Sequence, residues 1–76
     1  MEIKIKEIMV QIFNVPEASI DSISSPDTIE SWDSLKHMDL VTAIEEEFNI
    51  RFTYEEISEM LNFSLIIELL KERGIK

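Results

Sequence analysis

Trp32-Asp33-Ser34-Leu35-Lys36-His37-Met38-Asp39-Leu40-Val41-Thr42-Ala43-Ile44-Glu45-Glu46-Glu47-Phe48 is the stretch on which the fold turns. Leu35, Met38, Val41, Ile44 and Phe48 recur at steps of three or four, and Leu40 and Ala43 widen the stripe. That period is helical and unlike the alternation of a strand. The spacing predicts a helix from about Ser34 to Phe48, ended by Asn49, because Asn tolerates left-handed backbone. Ser34 then lies in the first turn. The leading N–H groups there lack intrahelical acceptors and carry partial positive charge, so a phosphate esterified to the Ser34 hydroxyl would be electrostatically favoured. The same pattern has a plainer use, in which Ser31, Asp33 or Ser34 simply caps the helix. Local chemistry by itself favours the cap.

Outward from this segment the chain reads as helical throughout. Ile5, Ile8, Met9, Ile12 and Phe13 share one face, with Lys4, Lys6, Glu7 and Gln11 largely opposite, predicting a first helix over residues 2 to 13 that ends near Asn14 and Pro16. Val15 to Ser31 holds both prolines and many Ser and Asp, the composition of turns. It reads as one long loop, pinned to the helices at least by Ile20 and Ile29, with Ile23 a further apolar residue along it. Thr53-Tyr54-Glu55-Glu56 has capping-box spacing and opens a short third helix to about Met60, which Phe52, Ile57 and Met60 must anchor. Asn62 caps a fourth helix containing Phe63, Ile66, Ile67, Leu69 and Leu70, with Gly74 after its end. The expected fold is all-α: a small four-helix bundle of three main helices, one short helix and a long first loop, in a single domain over 1–76. If Phe48 is fully buried, Phe48→Ala should cost about 3–5 kcal/mol.

Composition narrows the function. The 76 residues bury a single modest core, roughly 60% of the surface the unfolded chain exposes. Without cysteine, hydrophobic packing alone must stabilise it. Seven basic against sixteen acidic residues give a net charge of −9, which repels nucleic acids and anionic membrane surfaces and favours basic protein partners. No apolar run is long enough for membrane insertion, and a cytoplasmic monomer is the expectation. Glu45-Glu46-Glu47 lies near the negative pole of its helix, where acid is disfavoured. It is either ordinary solubilising charge or a strip that attracts Lys and Arg on a partner.

Catalytic constellations are thin. Ser34 and His37 are three apart and an Asp is nearby, but acyl-transfer chemistry needs an oxyanion site and a pocket, and the one glycine is Gly74. His37 is expected to face solvent. One His, no Cys and no Gly-centred calcium or phosphate loop leave no metal motif.

Asp33-Ser34-Leu35, then Met38-Asp39-Leu40, then Ala43-Ile44-Glu45-Glu46-Glu47-Phe48 resembles the acyl carrier proteins, and the likeness extends over essentially the whole chain. It implies that a phosphopantetheinyl transferase moves 4′-phosphopantetheine from coenzyme A onto Ser34, and that the arm's thiol carries an acyl group as a thioester. It implies no catalytic step by the chain itself. Partner docking would fall on Asp33, Leu35, Met38, Asp39, Glu45 and Glu46, against acyl-activating, acyltransferase or ketosynthase-type enzymes with basic surfaces. Leu40, Ile44 and Phe48 match structural positions.

Departures bear on the pathway. Fatty-acid synthesis carriers often have Leu-Gly-x before Asp-Ser-Leu, whereas this chain has Glu30-Ser31-Trp32; Lys36 and His37 dilute the acidic face, and Thr42 replaces an apolar contact. Trp32 looks more like stand-alone carriers of specialised acyl, polyketide or surface-modification pathways, or it packs the loop. The Gly-Gly-x-Ser of peptidyl carriers is missing, which ranks that relative lower, while aminoacyl cargo of the D-alanyl type stays an alternative. An unmodified acidic interaction domain is the competing class.

Overall fold

The computed structural model describes residues 1–75. It contains four α-helices: α1 (Glu2–Phe13), α2 (Ser34–Phe48), α3 (Tyr54–Glu59) and α4 (Phe63–Glu72). A 3-10 turn, Glu17–Ser19, interrupts the long first loop. The described residues form no strand, and the bundle has a radius of gyration of 11.2 Å. The all-α expectation holds, with α1 and α2 at the expected bounds.

Three of the four helices stop where the sequence supplies a left-handed residue. Asn14 and Asn49 adopt left-handed backbone (φ 56 and φ 54), as does Gly74 (φ 83). Asn accepts that conformation at modest cost, and the cap N–H groups of Asn14 and Asn49 then return to Val10 and Glu45 carbonyls. The capping box forms in full: the Glu56 N–H donates to Thr53 Oγ1 at 3.1 Å, and the Thr53 N–H to Glu56 Oε1 at 2.8 Å. Asn62 Oδ1 accepts from the Leu65 N–H at 2.8 Å at the start of α4.

The long loop is tied down at both ends of its path. Ile20 and Ile29 are buried in the core, while Ile23 is exposed. The Ser31 hydroxyl donates to the Phe13 carbonyl at 2.8 Å, satisfying a carbonyl that α1 leaves open. Phe63 and Ser64 donate their N–H groups to the Ser24 and Ser22 carbonyls at 2.9 and 3.2 Å, so loop carbonyls serve the first donors of α4. Ser24 is the buried polar residue of the chain's described part, its Oγ accepting from the Asp21 N–H. Ordering this loop removes much chain entropy, and these bonds together with the two isoleucines offset it.

Beneath the loop lies one core, built from Ile5 and Met9 of α1, Leu40 and Ile44 of α2, Ile66 and Leu70 of α4, and Met60. Phe48 packs against that core from a half-buried position, so its truncation should cost less than for full burial. The short α3 is held from both sides. Phe52 and Met60 are buried, Ile57 is half-buried, and the Arg73 guanidinium pairs with the Glu56 carboxylate and donates to the Arg51 carbonyl while lying 5.4 Å from the centre of the Phe52 ring. Arg73 and the Thr53 N–H together hold the Glu56 carboxyl down at about 2.

Candidate functional site

Asp33 and Ser34 divide the work at the start of α2. Asp33 is extended, and its Oδ1 accepts from the Lys36 N–H at 2.8 Å. It is the cap, which resolves the three-way choice among Ser31, Asp33 and Ser34. Ser31 is spent on Phe13. Ser34 is thereby the first helical residue, exposed to solvent. Ser19, Ser31 and Ser58 donate their hydroxyls to backbone carbonyls; among the described residues, Ser34 makes no such bond. A free hydroxyl thus stands at the positive end of a 15-residue helix.

Beside it, a groove of about 620 Å³ opens between the start of α2 and α3. Its rim carries Ser34, Met38, Tyr54 and Leu61, and its floor is made by Trp32 and Met60, which are 2% and 1% exposed. Tyr54 and Leu61 stand 83% and 61% exposed, an apolar rim around a serine.

His37 also lines this groove and is not solvent-facing. The Trp32 indole Nε1–H donates to His37 Nδ1 at 3.0 Å, and His37 Nε2 lies 3.1 Å from the Ile57 carbonyl. An indole only donates and a carbonyl only accepts, so the proton sits on Nε2. Trp32 stacks on Phe13 of α1 at 4.9 Å between ring centres and on His37 at 6.1 Å. Both imidazole nitrogens are therefore engaged in holding the loop, α2 and α3 together. His37 has no lone pair left to act as a base for Ser34, which removes the physical ground for a Ser-His nucleophile. Trp32 does pack the loop against the bundle, and it also supplies the donor that fixes the imidazole.

The remaining predicted positions separate into two groups. Asp33 and Met38 gather with Ser34 at the groove, and Leu35 (72% exposed) and Asp39 point outward close by. Glu45 and Glu46 lie near the far end of α2, roughly 16–18 Å along the axis from Ser34 at 1.5 Å per residue. Glu46 is exposed. Glu45 is half-buried, and its Oε2 accepts from the Phe52 N–H at 2.8 Å, docking the α2–α3 connection. That bond gives one member of the acidic triplet a structural reason to sit at an electrostatically poor place.

The chain is 35% identical over 72 residues to an acyl carrier protein of Buchnera aphidicola subsp. Baizongia pistaciae (strain Bp), an alignment that spans 95% of this chain and 92% of the relative. The chain belongs to the acyl carrier protein family. No protein-family model matches it. As in the resemblance read from sequence, Leu40 and Ile44 are core residues, each with no exposed surface. Among the described residues, no helix of this family member is long and apolar enough to cross a membrane, and no cluster of three or more His, Cys, Asp or Glu side chains is arranged to hold a metal.

Sequence reasoning missed the α3 wall of the groove and the His37 bridge. The bridge joins residues 20 apart in sequence, and no local spacing signals it.

Proposed function

We propose that this chain carries acyl groups on a 4′-phosphopantetheine arm that a phosphopantetheinyl transferase attaches to Ser34, delivering them to acyl-activating, acyltransferase or ketosynthase-type enzymes with basic docking surfaces. The observation that carries the reading is the exposed, unengaged Ser34 hydroxyl at the first position of α2, freed from capping by Asp33. The residues present fit the group. Ser34 is reachable by a transferase, its neighbouring backbone N–H groups and the helix dipole favour a phosphoester, and the adjoining groove is wide and apolar-rimmed.

When attached, the arm supplies a terminal thiol on which an acyl group is held as a thioester. The chain's own part is to tether and present. Anchoring the arm at a rigid helix start raises the effective concentration of cargo at whichever enzyme is docked. Leu35 and Met38 offer apolar contact beside the attachment point, while Asp39 and Glu46 supply negative charge that steers a basic partner.

The test is intact-mass measurement after incubating the purified chain with coenzyme A and a broad-specificity transferase. A single adduct on the wild type and none on Ser34→Ala is expected. No adduct with two different transferases, or an undiminished adduct on Ser34→Ala, overturns the proposal.

A further inference from the structure

Ser31, Trp32 and Asp33 lead into Ser34, and each is held by its own tie. The Ser31 hydroxyl donates to the Phe13 carbonyl at 2.8 Å, across 18 residues of chain. Trp32, 2% exposed, stacks on Phe13 at 4.9 Å between ring centres and donates its indole N–H to His37 Nδ1 at 3.0 Å. Asp33 accepts from the Lys36 N–H through its carboxylate and from the His37 N–H through its carbonyl, both at 2.8 Å.

Where α2 begins decides what the Ser34 hydroxyl does. Ser and Asp differ little as caps, so by local preference the helix could start at Ser31, Asp33 or Ser34. As the cap, Ser34 would turn its oxygen onto the N–H of Lys36 or His37. With Ser31 as the cap, Ser34 would lie inside the helix, where serine hydroxyls donate to a carbonyl three or four residues back. The start at Asp33 is the one that leaves the hydroxyl unengaged, and local preference does not select it. The ties do. A start at Ser34 would unwind one residue and move Trp32 off Phe13 and His37, while a start at Ser31 needs the hydroxyl that the Phe13 carbonyl already holds.

We propose that Ser31 and Trp32 are positioning residues for attachment of the arm: they hold the start of α2 at Asp33 and so keep Ser34 Oγ free to be modified. This rests on Ser34 carrying the arm. Attachment bonds Ser34 Oγ to the phosphorus of the arm, breaks that phosphorus's bond to the adenosine bisphosphate of coenzyme A, which leaves, and passes the hydroxyl proton to a base of the transferase. An oxygen turned onto a helix N–H, or a hydroxyl donating to a carbonyl, is held away from that reaction.

The experiment reads the helix start and the attachment kinetics in the wild type, Ser31→Thr, Ser31→Ala, Trp32→Phe and the Ser31→Ala/Trp32→Phe double variant. Threonine keeps the hydroxyl, and phenylalanine keeps a ring against Phe13 while removing the indole donor. Backbone carbon shifts of the unmodified proteins show which residue is the last extended one before α2, and intact-mass progress curves with coenzyme A and a broad-specificity transferase give kcat and KM. The wild type and Ser31→Thr should keep Asp33 extended and Ser34 helical and be modified alike. Losing one net hydrogen bond should move the balance of helix starts by about two- to tenfold. Ser31→Ala and Trp32→Phe should therefore each displace the start in part and lower kcat by at most that factor, with KM unchanged because the docking side chains remain; the double variant should show the largest change in both. A start that stays at Asp33 in every folded variant, slower attachment with the start unmoved, or a rise in KM alone would overturn the role of Ser31 and Trp32. A wild type that takes up no arm would overturn the attachment reading itself, and the carbon shifts would still test the choice of cap.

Discussion

The two ends of α2 are built from the same apolar period and serve opposite purposes. Toward its C-terminal end, Leu40, Val41 and Ile44 are sealed in the core, and Glu45 hooks the connection to α3 through the Phe52 N–H. Toward its N-terminal end, Leu35 is 72% and Met38 46% exposed, beside a serine with no hydrogen-bonding duty of its own among the described residues. The stripe is continuous; its neighbours are not. α1 packs along α2, whose later apolar residues are sealed in the common core, whereas the first turn looks onto an open groove. Apolar side chains left uncovered next to a free hydroxyl contribute little to folding, which suits a surface that works on something outside the chain.

The sharpest way to break this contrast is to truncate one residue at each end. Ile44→Ala should lower unfolding free energy by about 2–5 kcal/mol, while Leu35→Ala should stay within about 0.5 kcal/mol and instead weaken association with a carrier-dependent enzyme. Urea denaturation reads the first pair of numbers. Equal losses at the two positions would mean that the first turn is scaffold as well.

A smaller effect separates two adjacent carboxylates. Glu45→Ala strands the part-buried Phe52 N–H and should cost about 1–3 kcal/mol, whereas Glu46→Ala should be nearly neutral for stability. Both should slow association with a basic enzyme at low salt, with the deficit shrinking as salt rises. A Glu45 variant as stable as the Glu46 variant would remove Glu45 from the scaffold.

The smallest effect is at the tie between α3 and α4. The Glu56 carboxyl is held at about 2, below its ordinary 4.5, first by Arg73 and then by the Thr53 N–H. A depressed carboxyl contributes stability that is present above its unfolded value and lost as pH falls through the folded one. The stability deficit of Glu56→Gln should therefore be constant above about pH 5 and shrink as pH falls from about 4.5 toward 2. Because the pair is still reached by solvent, with 28% and 21% of the two side chains accessible, the deficit should be modest and weaker at high salt. A deficit that persists undiminished at the acid end would point to packing in place of charge.

Much of this architecture is written locally. Thr53 and Glu56 announce their capping box by spacing, Asn49 and Gly74 mark helix ends through left-handed backbone, and Asn62 marks a helix start through its side-chain oxygen, none of which needs a tertiary contact. What was not legible depends on residues far apart in the chain. Periodicity assigns Leu35 and Met38 to the same face as Ile44 but cannot say that no helix covers them. Ser24 reads as one more polar loop residue until its carbonyl is seen serving α4. His37 reads as a solvent-facing imidazole until Trp32 and Ile57 close on it. The candidate site residue, Ser34, is proposed from family likeness, while the reason its hydroxyl is free, the cap at Asp33, needs the geometry.

In the proposed function the Ser34 hydroxyl is the working group of this chain and the rest of the site presents it. Tandem mass spectrometry of the transferase-treated protein tests it most directly, because exposed Ser22 and Ser64 offer rival hydroxyls elsewhere on the surface. The whole phosphopantetheine mass is expected on the fragment containing Ser34, with Ser34→Ala unmodified yet as stable to urea as the wild type. An adduct mapped to any other serine, or a Ser34→Ala protein that loses modification only because it has lost its fold, would contradict it.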